Sequence, residues 1–171
     1  MHIDVFTLFP EICKPYLGTS ILGRARESGC LSVDLHNIRD YATGRHRITD
    51  DIPYGGGGGM VMKPEPVFTA IETVMGEHKI SCPIILLTPQ GRTFTQRVAR
   101  ELARHKRIAL IAGRYEGVDE RIRQHLASDE ISLGDFVLMG GELPALAIID
   151  ATTRMLPGVL GDPSAADDDS Y

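Results

Sequence analysis

Apolar residues along this chain gather in short runs, separated by polar segments rich in glycine. Ile3, Val5 and Thr7 alternate with Phe6 and Leu8 before Pro10 stops the run, which predicts a buried strand over residues 2–9. A helix is expected over 10–28, broken near 18–20, with Gly29 as its C-cap. Leu31, Val33, Leu35 and Ile38 suit a second strand, and a helix is expected from near Glu65 to Gly76. Residues 39–63 between them show no periodicity, a length that marks a functional segment rather than an ordinary loop. Residues 83–87 and 108–112 are continuous apolar runs, as expected of strands covered on both faces. Thr93 with Gln96 has capping-box spacing and predicts a helix to about His105. A helix over 118–126, a strand over 131–138 interrupted at Gly134, and a helix over 142–156 complete the pattern. That last helix carries Ala145, Ile148, Ile149, Thr152 and Leu156 on one face. Strands alternating with helices predict an α/β domain with a mainly parallel sheet and helices on both faces.

The chain has 171 residues, 43% hydrophobic and 24% charged, which excludes a disordered or collagen-like protein and suits one domain. No apolar run approaches the ~20 residues that cross a bilayer, so no membrane partner is expected. Asp4, Pro10 and Glu11 interrupt any signal peptide at the N-terminus. Cys13, Cys30 and Cys82 make neither a disulfide framework nor a CxxC pair; they read as small core residues in a reducing cytoplasm. The net charge of -5 hides an uneven distribution. Arg92, Arg97, Arg100, Arg104, Lys106, Arg107, Arg114, Arg121 and Arg123 crowd the middle, while Asp162 and Asp167 to Asp169 crowd an end that has no basic residue after Arg154. A basic middle is compatible with an RNA partner, and a solvated helix face explains it as well.

Three strands end in glycine-containing polar loops, at 88–91, 113–117 and 139–142. Ligands of open α/β sheets sit beyond the carboxyl ends of the strands, and glycine lets backbone approach them. A turn alone explains any one glycine; three loops at successive strand ends favour a site holding an adenosine-like ligand through its main chain. Neither G-x-G-x-x-G nor G-x-x-x-x-G-K-[ST] is present, so neither a dinucleotide fold nor a P-loop is supported, and a nucleotide-dependent oxidoreductase is a distant reading. Arg45, His46 and Arg47, followed by Asp50 and Asp51, form a polar cluster suited to phosphates or a base. His46 has no partner at metal-ligand spacing, and no metal ligand is assigned.

Six ordered motifs carry a family resemblance: Asp50-Asp51-Ile52-Pro53-Tyr54-Gly55-Gly56-Gly57, Leu87-Thr88-Pro89-Gln90-Gly91, Gly113-Arg114-Tyr115-Glu116-Gly117-Val118-Asp119-Glu120-Arg121, Ser132-Leu133-Gly134-Asp135-Phe136-Val137-Leu138, Gly140-Gly141-Glu142-Leu143-Pro144 and Pro157-Gly158-Val159-Leu160-Gly161. Together they resemble bacterial tRNA (guanine-N1)-methyltransferases over essentially the whole chain. The resemblance implies methyl transfer from S-adenosylmethionine to N1 of guanine at tRNA position 37, with Mg²⁺ assisting turnover. It also implies a deep C-terminal trefoil knot of the SPOUT class, which general topology rules would not predict, and a homodimer whose active sites cross the interface.

By the same resemblance the cofactor touches Leu87, Thr88, Pro89, Gly91, Gly113, Gly117, Leu133, Gly134, Asp135, Phe136, Val137, Leu138, Gly140, Gly141 and Pro144. Arg154 and Asp169 are the implied catalytic pair. Tyr54, Gly55, Gly59, Glu116, His46 and Asp50 fall on the substrate side. A carboxylate suits the N1 proton and a guanidinium suits the charge growing toward O6; without the resemblance, Asp167 to Asp169 would read as a solvated acidic tail. Gly58 stands where the family usually carries Pro, which predicts a floppier loop. Residues 1–161 are expected to be the knotted catalytic domain and 162–171 the start of a linker. The family's C-terminal tRNA-binding domain is absent from this sequence, so weak tRNA methylation is expected. The rival readings are a related knotted ribose 2′-O-methyltransferase and a non-catalytic RNA-binding module.

Overall fold

The continuous apolar runs become the centre of a parallel sheet. A computed structural model of the chain describes residues 1–53, 58–76 and 81–162. Five strands, β1 (His2–Thr7), β2 (Ser32–Asn37), β5 (Ile84–Thr93), β6 (Arg107–Ala112) and β7 (Asp129–Ser132), run in the order β2-β1-β6-β5-β7, every pair parallel. Two-residue strands β3 (Asp50–Asp51) and β4 (Val61–Met62) make a separate antiparallel pair.

Period-two alternation sorts the side chains between two cores. Ile3, Val5, Ile85, Ile108 and Leu110 face α1 (Pro10–Leu17), α2 (Ser20–Glu27), α4 (Gln96–Leu102) and α6 (Glu142–Thr153). Phe6, Ile84, Leu86, Ala109 and Ile111 face α3 (Pro64–Met75) and α5 (Glu120–His125). Helices therefore cover both faces. Burying each of the larger side chains among these contributes about 1.5–3 kcal/mol. In α6, Ala145, Leu146, Ile148, Ile149, Thr152 and Thr153 are buried along one face, while Leu143 and Ala147 on the opposite face stay exposed.

Local signals explain most boundaries. Thr19 and Ser20 part α1 from α2, and Gly29 takes φ +76° after α2. Gly76 ends α3, and the Asp119 carboxylate accepts the Arg121 N–H to open α5. Two expectations are corrected. Thr95 rather than Thr93 caps α4, its hydroxyl accepting the Val98 N–H, because β5 resumes pairing after a four-residue excursion and runs through Thr93. The strand expected over 131–138 ends at Ser132. There the Ser132 hydroxyl donates to the Gly134 carbonyl (3.0 Å) and accepts the Gly134 N–H (3.2 Å), turning the chain out of the ladder. Phe136, Val137, Leu138 and Met139 then lie exposed rather than paired. Cys13 is buried as expected, while Cys30 and Cys82 are only half-buried.

Candidate cofactor and substrate site

Parallel strands bring the three glycine-bearing loops to one edge of the sheet, where they enclose a cavity of about 550 Å³. Its first wall is the β5 excursion. Leu87 and Arg92 both pair with Ile131, so residues 88–91 loop out between two anchors on a single partner. Gly91 makes this possible: a Cβ there would lie 2.5 Å from the Glu130 and Ile131 backbone.

The second and third walls are tied together by a buried carboxylate. Glu142 opens α6 and is 2% exposed. It accepts Thr7 Oγ1 at 2.7 Å and Arg114 Nε at 3.0 and 3.2 Å, with Arg114 Nη2 at 3.0 Å. The Arg114 guanidinium lies 4.5 Å above the Phe9 ring. Gly141 N–H donates to the Gly113 carbonyl at 2.9 Å, and a Cβ on Gly141 would meet the Ala112 backbone at 2.6 Å. Loop 113–117, loop 139–141 and the start of α6 are thus tied to one another.

The lining is mixed in a way that selects among ligands. Leu87, Ile131, Leu133, Val118 and Pro144 offer apolar walls for a flat ring. Its basic side chains are Arg114, paired with Glu142, and Arg123, paired with Glu120 and Glu130. Glu116, Glu120 and Glu130 leave an acidic excess, which suits a nucleoside carrying positive charge better than a phosphate. Gly117 lines the cavity at φ +147°, and a Cβ there would meet no protein atom within 4 Å, so room is left for a ligand.

Loop 113–117 also carries the substrate-side segment. Glu116 N–H donates to the Met60 carbonyl at 3.0 Å, and Met62 N–H to the Gly117 carbonyl at 2.9 Å. Gly59, at φ +89°, packs so closely on the Glu116 side chain that any Cβ would collide with it. A second cavity of about 290 Å³ is lined by Arg45, His46, Arg47 and Lys63.

A family model described as tRNA (Guanine-1)-methyltransferase TrmD matches residues 1–171. The chain belongs to this family. A tRNA (guanine-N(1)-)-methyltransferase of Dehalococcoides mccartyi is 54% identical over 171 residues, covering all of this chain and 69% of the relative. One of Moorella thermoacetica is 56% identical over 172 residues, with the same coverage. The crystal structure of the tRNA (m1G37) methyltransferase from Aquifex aeolicus superposes with a TM-score of 0.86 at 42% identity, covering 95% of this chain and 73% of that one.

Within this methyltransferase scaffold, Leu87, Thr88, Pro89, Gly113, Gly117, Leu133, Phe136, Val137, Leu138, Gly140, Gly141 and Pro144 all line the large cavity. Gly91, Gly134 and Asp135 do not. Gly91 backs onto β7, Gly134 accommodates the Phe136 ring, and Asp135 is exposed. Glu116 and Gly59 are brought together, whereas His46 lines the smaller cavity and Asp50 lies in β3. Arg154 caps the far end of α6, about 18 Å along the axis from Glu142 at 1.5 Å per residue. It therefore does not reach the cavity within one chain. Tyr54, Gly55 and Asp169 lie outside the described residues.

Sequence reasoning missed the Arg114–Glu142–Thr7 clasp, because its members are up to 135 residues apart. The basic middle is largely internal pairing: Arg92 with Glu101 and Asp129, Arg107 with Asp4, Arg114 with Glu142, Arg121 with Asp119, and Arg123 with Glu120 and Glu130. Among the described residues, no helix is long and apolar enough to cross a membrane.

Proposed function

We propose that this chain transfers a methyl group from S-adenosylmethionine to N1 of guanine 37 in tRNA. The observation carrying this reading is the cavity at the carboxyl ends of β5, β6 and β7, backbone-lined and without an unpaired cation for a phosphate. Bound there, the cofactor supplies a methyl on a sulfonium. Apolar walls at Leu87, Ile131 and Pro144 hold its adenine, and the acidic lining favours its positive charge. Asp169 takes the N1 proton as general base, and Arg154 balances the charge that develops at O6, with Mg²⁺ assisting. Gly59 and Glu116 place the guanine ring, and His46 and Asp50 lie along the RNA.

The length of α6 separates Arg154 from its own cavity, so the site is completed by a second copy in a C2 homodimer. The exposed apolar residues Phe136, Val137, Leu138 and Met139 of the cavity wall, with Leu143 next to them, support such pairing. The chain between β7 and α6 passes close behind β6 at Gly141 and Ala112, a crossing that fits a trefoil knot. The enzyme acts on tRNA in the cytoplasm.

Calorimetric titration of S-adenosylmethionine, with the mass in solution measured alongside, tests the reading. One cofactor site per chain and a dimeric mass are expected. Methyl mapping on a G37 tRNA transcript should place the product on N1. Absence of cofactor heat, or a methyl on ribose, would overturn it. Arg154→Ala should abolish methylation while leaving cofactor affinity within twofold; loss of both would remove Arg154 from the catalytic role.

A further inference from the structure

At the other end of the sheet, remote from the cavity, lies a cluster that methyl transfer does not use. Strand alternation puts His2 and Asp4 on one face of β1, and the parallel register sets Asp34 of β2 directly opposite Asp4. His2 Nε2 lies 3.2 Å from Asp4 Oδ1 and 3.4 Å from Asp34 Oδ2, and each of the three residues offers a ligating atom within 4.8 Å of the others'. One imidazole N–H cannot serve two carboxylates at once: His2 is within hydrogen-bond distance of Asp4 at 3.2 Å and stands 3.4 Å from Asp34. The two His2 separations also approach another geometry. Ligands about 2.1 Å from a tetrahedral zinc ion stand roughly 3.4 Å apart along each edge.

We propose that His2 Nε2, Asp4 Oδ1 and Asp34 Oδ2 form a binding site for a first-row divalent cation of the zinc type, with water completing the coordination. The supporting groups are in place. Arg107 Nε donates to Asp4 Oδ2 at 2.7 Å, and His36 Nε2 lies 2.9 Å from Asp4 Oδ1, so the buried carboxylate is held on both oxygens. The Phe6 ring stacks on His36 with centroids 4.8 Å apart and fixes its plane. The ligand backbone is equally constrained. The Met1 ammonium donates to the Cys30 carbonyl at 2.8 Å, and His2 N–H donates to the Lys106 carbonyl at 2.8 Å. Entry is open, since the His2 and Asp34 side chains are 30% and 58% exposed. An imidazole beside two carboxylates favours zinc, manganese or iron over magnesium. The bound ion would pin edge strand β2 to β1.

The test titrates zinc chloride by calorimetry into the full chain, first stripped with chelator, in a non-coordinating buffer near pH 7.5. One ion per chain is expected, unaffected by millimolar Mg²⁺, together with a rise in thermal midpoint. Asp34→Asn and His2→Gln, both at partly exposed positions, should each weaken zinc binding at least tenfold and abolish the thermal shift. Cys30→Ser and Cys82→Ser should leave both unchanged. Absence of zinc binding by the parent chain, binding that Asp34→Asn and His2→Gln reduce less than threefold, or binding lost with the cysteines would overturn the site.

Discussion

Among the described residues, two carboxylates are buried, one at each end of the same sheet, and they serve opposite purposes. Asp4, at the amino ends of the strands, gathers His2, His36 and Arg107, side chains that reach solvent. Burial pushes its carboxyl pKa up, but hydrogen bonds from His36, Arg107 and His2 outweigh this and hold it well below the usual carboxylate range. Glu142, at the carboxyl ends, gathers Arg114 and Thr7, which belong to the segments forming the cavity wall. One carboxylate closes an edge of the fold; the other shapes a binding site. Disturbing the first should affect stability, and disturbing the second should affect stability and ligand together.

The largest effect should come from Glu142→Ala, which strands the Arg114 guanidinium. Urea unfolding should show a loss of about 3–5 kcal/mol, the usual consequence of removing one partner from a buried pair, and cofactor titration should show binding lost. Asp4→Asn, measured with chelator present, should cost about 1–3 kcal/mol while cofactor affinity stays within twofold. A larger penalty for Asp4→Asn than for Glu142→Ala would reverse the comparison. Cys13, packed near the Glu142 end, offers a smaller probe. Burial, with the charges of Glu142 and Glu11 adding, pushes its thiol up to about 11. The fold favours the neutral thiol, so this contribution is full below the unfolded value and is lost as pH rises through about 11. Alkylation at pH 8 followed by mass spectrometry should label Cys30 and Cys82 and spare Cys13. Least of all, Gly58→Ala has open space for its Cβ. It should raise stability by about 0.4–1 kcal/mol through the unfolded chain, leaving both carboxylates undisturbed.

What could be read in the sequence divides along the same line. The strands were legible where burial on both faces made a run continuous, as at Ile84 to Leu87 and Ile108 to Ala112. The cavity was legible from its glycines, although only loop 113–117 directly follows a strand end: residues 88–91 leave β5 within its span, and 139–142 come after the turn that ends β7. Asp4 and Glu142 were not legible as hubs, since Arg107 lies 103 residues from Asp4 and Thr7 lies 135 from Glu142. The strand over 131–138 was overextended because apolarity cannot distinguish a paired residue from an exposed one; the Ser132–Gly134 turn decides it. Arg154 was named by resemblance alone, and only the length of α6 shows how far it stands from its own cavity.

The β5 excursion has a thermodynamic consequence. Residues 88–91 leave and rejoin the ladder on one residue, Ile131, so this loop loses its freedom when the sheet forms rather than when a ligand arrives. An adenosine entering there meets a wall already shaped, and the heat capacity change on binding should match the contact area alone, without the further loss that ordering a loop would add.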